Sequence, residues 1–310
     1  MQTVLITGGT GLVGTALTKH LIDKGYHVII LSRNGITNSE NTSVSYAQWN
    51  VDKQTIDEEA VRKADYIIHL AGAAVADKRW SGKRKKEIVE SRTLSSALLV
   101  KALAETPNNV KAVISASATG WYGADEKKFR GKKGFTEDAA ADTEFLGETC
   151  KQWEESISPV ERLGKRLVKL RTGIVLSNDG GALKEFKKPI KAGVAAVLGN
   201  GKQLVSWIHI DDLCRLFIYA MEKEIKGVYN AVAPGPVTNK ELMLKLASKM
   251  RGSFFIPLHV PAFVIRLLFG EMSIEVLKSV TVSSEKVREA GFTFLYPSIE
   301  VALNDLTSKG

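Results

Sequence analysis

Three glycines, Gly8, Gly11 and Gly14, stand at three-residue intervals between an apolar run, Val4-Leu5-Ile6, and a stretch with helical periodicity. That spacing suits phosphate chemistry. One glycine permits a tight turn, one lets a pyrophosphate approach the main chain, and one lets the helix lie close on the strand. The helix N-terminus then offers free N–H groups and partial positive charge to an anion. Gly8, Thr10, Gly11, Leu12, Val13 and Gly14 are therefore the expected binding turn for a dinucleotide. Ser32-Arg33 ends a second apolar run, at the place where an acidic residue would hold ribose hydroxyls. A hydroxyl and a guanidinium suit a 2′-phosphate instead, because arginine presents a planar fork of charged donors. A surface arginine in a turn is the alternative. NADP(H) is expected over NAD(H).

Further positions could bind or react. Asp52, past a strand pattern ending at Trp49-Asn50, can accept from an adenine amino group or cap the helix that starts near residue 57. Leu70-Ala71-Gly72 closes a fourth apolar run with small residues, against which a cofactor can lie. Ser115-Ala116-Ser117 closes a fifth. Ligands in open α/β sheets bind outside the carboxyl ends of strands, so Ser117 is placed to meet a reacting oxygen. Its hydroxyl could instead satisfy neighbouring backbone. Tyr122 is the nearest phenol and the candidate proton donor. His69, inside an apolar run, reads as a satisfied core histidine. Arg171, inside another, needs an ion-pair partner or an anionic ligand.

The elements that must position these residues are legible in the periodicity. Strand-like runs cover 3–7, 27–31, 66–71 and 110–117; helix-like runs cover 12–24, 57–64, 82–105 and 142–156. Alternation of this kind predicts parallel strands with crossover helices. The expected fold is α/β, a Rossmann-type doubly wound parallel sheet with a smaller, mostly helical C-terminal lobe. Residues 1–176, with 202–235 returning to them, are expected to form the NADP-binding domain; 177–201 and 236–310 form the substrate-side lobe. Residues 123–143 show no period and are expected to be a long mobile loop beside the site.

Bulk properties narrow the function classes. The chain has 310 residues, two cysteines without metal-like spacing, and a net charge of +9. A reduced, cytoplasmic protein without a bound metal is expected. There is no run of about 18 apolar residues, so no membrane partner is expected, and no basic segment followed by an apolar stretch opens the chain. Basic residues concentrate at 78–86 and 127–133. Each run holds a single aromatic residue, Trp80 and Phe129, short of the interleaved aromatics a stacking platform requires, so solvated surface is expected and nucleic acid is not.

Four segments together resemble the extended short-chain dehydrogenase/reductases, the superfamily that includes nucleotide-sugar epimerases. They are the 7–14 turn, His69-Leu70-Ala71-Gly72, the 115–123 run ending in Trp121-Tyr122-Gly123, and Trp207-Ile208-His209-Ile210-Asp211-Asp212-Leu213. Arg79-Trp80, Ser91-Arg92, the 170–176 strand and the region 257–305 resemble the "epimerase family" branch, across essentially the whole chain. The resemblance implies that Ser117 hydrogen-bonds the reacting oxygen and that Gly173 and Ile174 meet the nicotinamide. It implies a small-molecule carbonyl or alcohol substrate and a possible homodimer through the helices at 82–105 and 142–156. Two departures stand out. The Tyr-x-x-x-Lys pair is missing from 145–154, where Phe145 or Leu146 and Thr149 or Cys150 stand instead. Val205 replaces an arginine that binds the diphosphate of nucleotide sugars, which counts against such a substrate.

Overall fold

The computed structural model describes residues 1–33, 41–125 and 134–308. The chain opens with β1 (Thr3–Thr7), α1 (Leu12–Asp23), β2 (His27–Ser32), β3 (Val44–Asn50), β4 (Thr55–Ile56), α2 (Glu58–Lys63) and β5 (Tyr66–His69). It continues through α3 (Gly82–Glu105), β6 (Ala112–Ala118), α4 (Phe145–Ile157), β7 (Arg166–Thr172), β8 (Ile174–Leu176), α5 (Gly181–Lys191) and β9 (Val194–Leu198). Then follow β10 (Leu204–Val205), β11 (Trp207–His209), α6 (Ile210–Glu222), β12 (Gly227–Ala231) and β13 (Val237–Thr238). The last elements are α7 (Asn239–Arg251), β14 (Ile256–Val260), α8 (Ala262–Phe269), α9 (Ser273–Leu277), α10 (Glu285–Glu289) and α11 (Ile299–Ser308).

One sheet dominates, in the order β12-β7-β6-β5-β1-β2-β3-β4. Every neighbouring pair in it is parallel except β3 and β4. This is the doubly wound Rossmann-type sheet expected. Its central strands are apolar on both faces because both are covered. Successive side chains alternate between faces. Val4 and Ile6 pack with Leu17 and Leu21 of α1 and Phe217 of α6. Leu5 and Ile67 pack with Leu98, Leu99 and Leu103 of α3.

A second core joins α5, α7, α11 and Trp207. This smaller lobe is mostly helical, and two-stranded ribbons such as β14-β9 border it. The late chain also returns to the sheet: Val287, Phe292 and Phe294 pack on the α1–α6 side.

The loop beside the site is not loose where it is described. Asp125 accepts from the Thr281 N–H at 2.7 Å and from the hydroxyls of Ser279 and Thr281 at 2.7 and 2.8 Å. The Phe135 N–H donates to the Thr281 carbonyl, and the Ser283 N–H to that of Phe135. Asp125 and Phe135, within the expected mobile segment, are therefore fastened to residues 279–283. The basic run at 127–133 lies outside the described residues.

Candidate functional site

The β1–α1 turn is shaped by main-chain contacts. Gly8 has φ +69°, and a Cβ there would lie 2.9 Å from the Leu70 carbonyl. A Cβ on Gly14 would lie 2.4 Å from the Gly8 oxygen, and one on Gly9 would lie 2.8 Å from the Ile30 side chain. Gly11 differs: the Gly8 oxygen, at 3.3 Å, is the only heavy atom within 4 Å of its Cβ position. Gly11 is also the N-cap of α1, with no side-chain cap hydrogen bond. The first turn of α1 thus presents N–H groups that no capping side chain takes, beside a position kept small. An anionic pyrophosphate fits that cradle.

Neighbouring strand ends complete the cradle. The Thr7 hydroxyl accepts from the N–H groups of Leu70 and Ala71, both at 3.1 Å, and pairs with His69 Nδ1 at 2.7 Å. His69 Nε2 meets the Ser96 hydroxyl at 3.1 Å. Burial pushes the His69 pKa down to about 3, so the ring is neutral, as a core histidine should be. This clasp fixes the ends of β1 and β5 side by side. Gly72 is exposed and backed by the Arg92 guanidinium, 3.1 Å from its Cβ position. Ser32 is half-buried at the end of β2, and Arg33 is exposed in the turn that follows. Thr10 is exposed, and Leu12 and Val13 are half-buried at the start of α1. Leu12 reaches the β8–α5 junction, 3.1 Å from the Cβ position of Gly181. Gly173 is held small by the Ser206 oxygen, 2.6 Å from its Cβ position, and Ile174 beside it is 37% exposed. Asp52 is exposed in the β3–β4 turn. It does not cap α2; Asp57 does, accepting from the Ala60 N–H at 3.1 Å.

Farther along the carboxyl edge the site changes character. Register places Ser117, Arg171 and Asn230 in one row across β6, β7 and β12. Ser117 Oγ donates to Glu154 Oε1 at 2.7 Å. Arg171 holds the same carboxylate through Nε at 2.8 Å and Nη2 at 3.1 Å. Its Nη1 donates to the Tyr122 hydroxyl at 3.0 Å and to the Glu137 carbonyl at 3.1 Å. Tyr122 in turn donates to Asn230 Oδ1 at 2.6 Å, and the Asn230 N–H donates to Glu137 Oε1 at 2.8 Å. The Trp121 ring stacks under the guanidinium, with 3.6 Å from Cζ to its centroid. Arg171 is 2% exposed and Glu154 5%. The alternatives open for Arg171 therefore resolve to a buried ion pair.

This network corrects one expectation and qualifies another. Tyr122 has no exposed surface, its hydroxyl proton is committed to Asn230, and burial raises its pKa to about 12 although Arg171 opposes the shift. A proton donor must reach its substrate, so this placement removes Tyr122 from that role. The single hydroxyl proton of Ser117 is likewise committed, to Glu154, and Ser117 is itself only 3% exposed.

The α4 face beside Gly120 is apolar. Leu146 Cβ and Cys150 Sγ lie 3.2 and 3.6 Å from the Cβ position of Gly120. Phe145 packs edge-on against Trp80, with ring centroids 4.8 Å apart. Burial pushes the Cys150 thiol up to about 12, against a smaller opposite pull from Arg92, so it is no nucleophile. Glu154 escaped sequence reading as part of a site. Glu154 carried a signal, since the buried residues of α4 include Gly147, Cys150, Glu154 and Ile157, a helical stripe with one acid in it.

One cluster, between α6 and α11, has the composition of a metal site. His209, Asp211 and Asp305 place ligand-type atoms within 4.8 Å of one another. His209 Nδ1 accepts from the Asp211 N–H at 3.1 Å, so Nε2 carries the ring proton and faces Asp305 Oδ2 at 3.5 Å. Nε2 has no hydrogen-bond partner among the described residues, and a protonated nitrogen offers a cation no lone pair.

Known proteins were compared with this geometry. Residues 4–145 match the NAD dependent epimerase/dehydratase family, and residues 260–306 match a domain of unknown function, DUF1731. An epimerase family protein of Staphylococcus saprophyticus is 36% identical over 310 residues, 99% of each chain. The epimerase family protein YfhF of Bacillus subtilis is 34% identical and covers 98% of this chain and 97% of its own. The crystal structure of the human epimerase family protein SDR39U1 with NADPH superposes with a TM-score of 0.85. It is 28% identical and covers 99% of both chains. Among the described residues no helix is long and apolar enough to cross a membrane.

Proposed function

The chain belongs to the NAD dependent epimerase/dehydratase family, and from that premise we propose that it binds NADP(H) and acts as an epimerase-like oxidoreductase on a small carbonyl or alcohol compound. The observation that carries the reading is the glycine cradle, open at Gly11 and closed to side chains at Gly8 and Gly14. The NADPH bound to the human relative supports it. In this reading the first turn of α1 receives the pyrophosphate, and Ser32 and Arg33 receive the 2′-phosphate. Asp52 accepts from the adenine amino group, and Leu70, Ala71, Gly72, Gly173 and Ile174 line the bound cofactor. A bound nicotinamide supplies a hydride donor or acceptor. Ser117 orients a substrate hydroxyl by accepting from it. Tyr122, Arg171 and Glu154 hold Ser117 in place. The buried free thiols Cys150 and Cys214 fit a reducing, cytoplasmic setting.

A second reading is a non-catalytic NADP(H)-binding protein that reports redox state to a partner. It is favoured by one observation: Leu146 and the inert Cys150 stand on the α4 face where the superfamily's proton-carrying pair is expected.

Calorimetric titration with NADPH, NADP+, NADH and NAD+ tests the shared claim. Selective NADP(H) binding is expected, weakened by about tenfold or more in Arg33→Ala through loss of a charge-assisted contact. Absence of binding to any dinucleotide would refute both readings. Turnover of the loaded protein on any carbonyl or alcohol compound, lost in Ser117→Ala with NADPH binding intact, separates the enzyme from the sensor.

A further inference from the structure

The outward face of the β9–β14 ribbon is apolar throughout. Residues in register on parallel strands point the same way. Ala195 and Val197 are fully buried, so their row faces inward. Val194, Ala196 and Leu198 therefore face outward with Ile256, Leu258 and Val260. A sheet face turned to water ordinarily carries polar residues. Here Ile256 is 70% exposed and Leu258 55%. The chain then turns at Pro261 into α8, where Phe263, Leu267 and Leu268 are exposed as well. Residues 254–274 hold seven of the twelve exposed large apolar side chains among the described residues. Helices α3 and α4, where the superfamily's dimer was expected, hold one, Leu94.

The ribbon's free edge is unsuited to strand addition. The Ile256 N–H donates to the Gly193 carbonyl, and the Gly199 N–H donates to that of Val260. The even-numbered residues of β14 thus face β9, and Pro257 and His259 turn their main chain to the open edge. Pro257 has no N–H to offer there, a device that blocks edge pairing. The surface must be used face-on, through its side chains.

Charge indicates the occupant. Residues 186–210 and 242–270, which supply both strands of the ribbon and α8, contain eight Lys and Arg and no Asp or Glu. Lys188, Lys245 and Lys249 pair with Glu185, Glu241 and Glu300 outside these segments, and Lys187, Lys191, Lys202, Arg251 and Arg266 have no acidic partner among the described residues. Arg251 donates to the Lys191 carbonyl at 3.2 Å and to the Phe254 carbonyl at 2.9 Å, so two cationic residues flank the exposed Phe254. Such a face repels a like-charged copy of itself and attracts an anionic surface. We propose that the β9–β14 ribbon and α8 dock this protein on an anionic lipid surface. The apolar side chains enter the headgroup–acyl boundary, and the cations meet lipid phosphates. The protein lies on the bilayer and does not span it. The expectation of no membrane partner rested on the lack of a spanning segment, which does not bear on docking of this kind. The inference is independent of the cofactor reading.

Co-sedimentation with vesicles tests it. Wild type is compared with Phe263→Ser/Leu267→Ser and with Lys191→Glu/Arg251→Glu, on phosphatidylcholine vesicles with and without phosphatidylglycerol. Circular dichroism checks that each variant is folded. Binding to phosphatidylglycerol vesicles is expected, falling at high salt and falling about tenfold or more in the serine variant through loss of buried apolar surface. Absence of binding to those vesicles overturns the proposal. So does a dimer in sedimentation equilibrium that the serine variant dissociates, which would give the face to a second copy.

Discussion

The two halves of the sheet's carboxyl edge are built from different materials. At the β1–α1 turn the surface is main chain, glycines kept bare by contacts under 3 Å, and an uncapped helix N-terminus. At β6, β7 and β12 it is side chain, a buried set in which Arg171, Glu154, Tyr122 and Asn230 consume one another's hydrogen-bonding capacity. The first half leaves groups for a ligand; the second leaves almost none. An unmade hydrogen bond at a protein's edge is an offer, and a satisfied buried network is scaffolding. The reaction side of this chain is therefore more structural than its superfamily resemblance implies.

Four changes break or sharpen that contrast. The largest effect is expected from Arg171→Met. Glu154 is then a buried carboxylate without its partner, a loss of ~3–5 kcal/mol in unfolding free energy by urea titration. Adding Glu154→Gln should recover part of it; no recovery would mean the pair acts independently. Gly14→Ala comes next. Its Cβ meets main chain, so NADPH binding should vanish in calorimetry, with stability falling by ~1–3 kcal/mol from overpacking. Retained binding would sink the cradle.

The His69 clasp carries a pH signature. Its folded pKa lies near 3, below the ordinary 6.5, because burial disfavours the charged ring. The unfolded chain thus binds the extra proton first. The clasp's contribution is complete above the unfolded value and is lost as pH falls below it, by up to ~1.4 kcal/mol per pH unit until the folded value is reached. Urea midpoints at pH 7.5 and 5.5, for wild type and His69→Asn, read the difference; the same slope in both would remove His69 as its source. The smallest effect is expected from Tyr122→Phe, ~1 kcal/mol for the lost hydroxyl contacts. NADPH affinity should not move. A large loss of turnover at unchanged stability would restore the phenol to the chemistry.

The same contrast explains what the sequence made legible. Turns and strand runs are local, and the glycine turn, the alternating elements and the core histidine were each readable from spacing within a few residues. Networks are not local. Arg171 required a partner, but nothing near it in the chain named Glu154, and Tyr122 reaches Asn230 across 108 positions. Asp125 and Phe135, in the stretch that lacked periodicity, are held by residues 279–283 and not by any period of their own. Asp52 was read as an adenine acceptor or the cap of α2, and the structure gives the cap to Asp57.

Edge strand β12 has a consequence for how the protein is made. It is the last strand of the sheet in chain order, yet it lies beside β7 and supplies Asn230 to the buried network. During synthesis the β1–α1 glycine turn is complete within the first residues to emerge. The sheet's far edge stays open until more than two-thirds of the chain has been translated. Folding on the ribosome is thus ordered, with the ligand cradle early and the scaffold late. The interval between them exposes the unpaired edge of β7 and the unsatisfied Arg171, a window in which chaperone contact and aggregation compete with completion of the sheet.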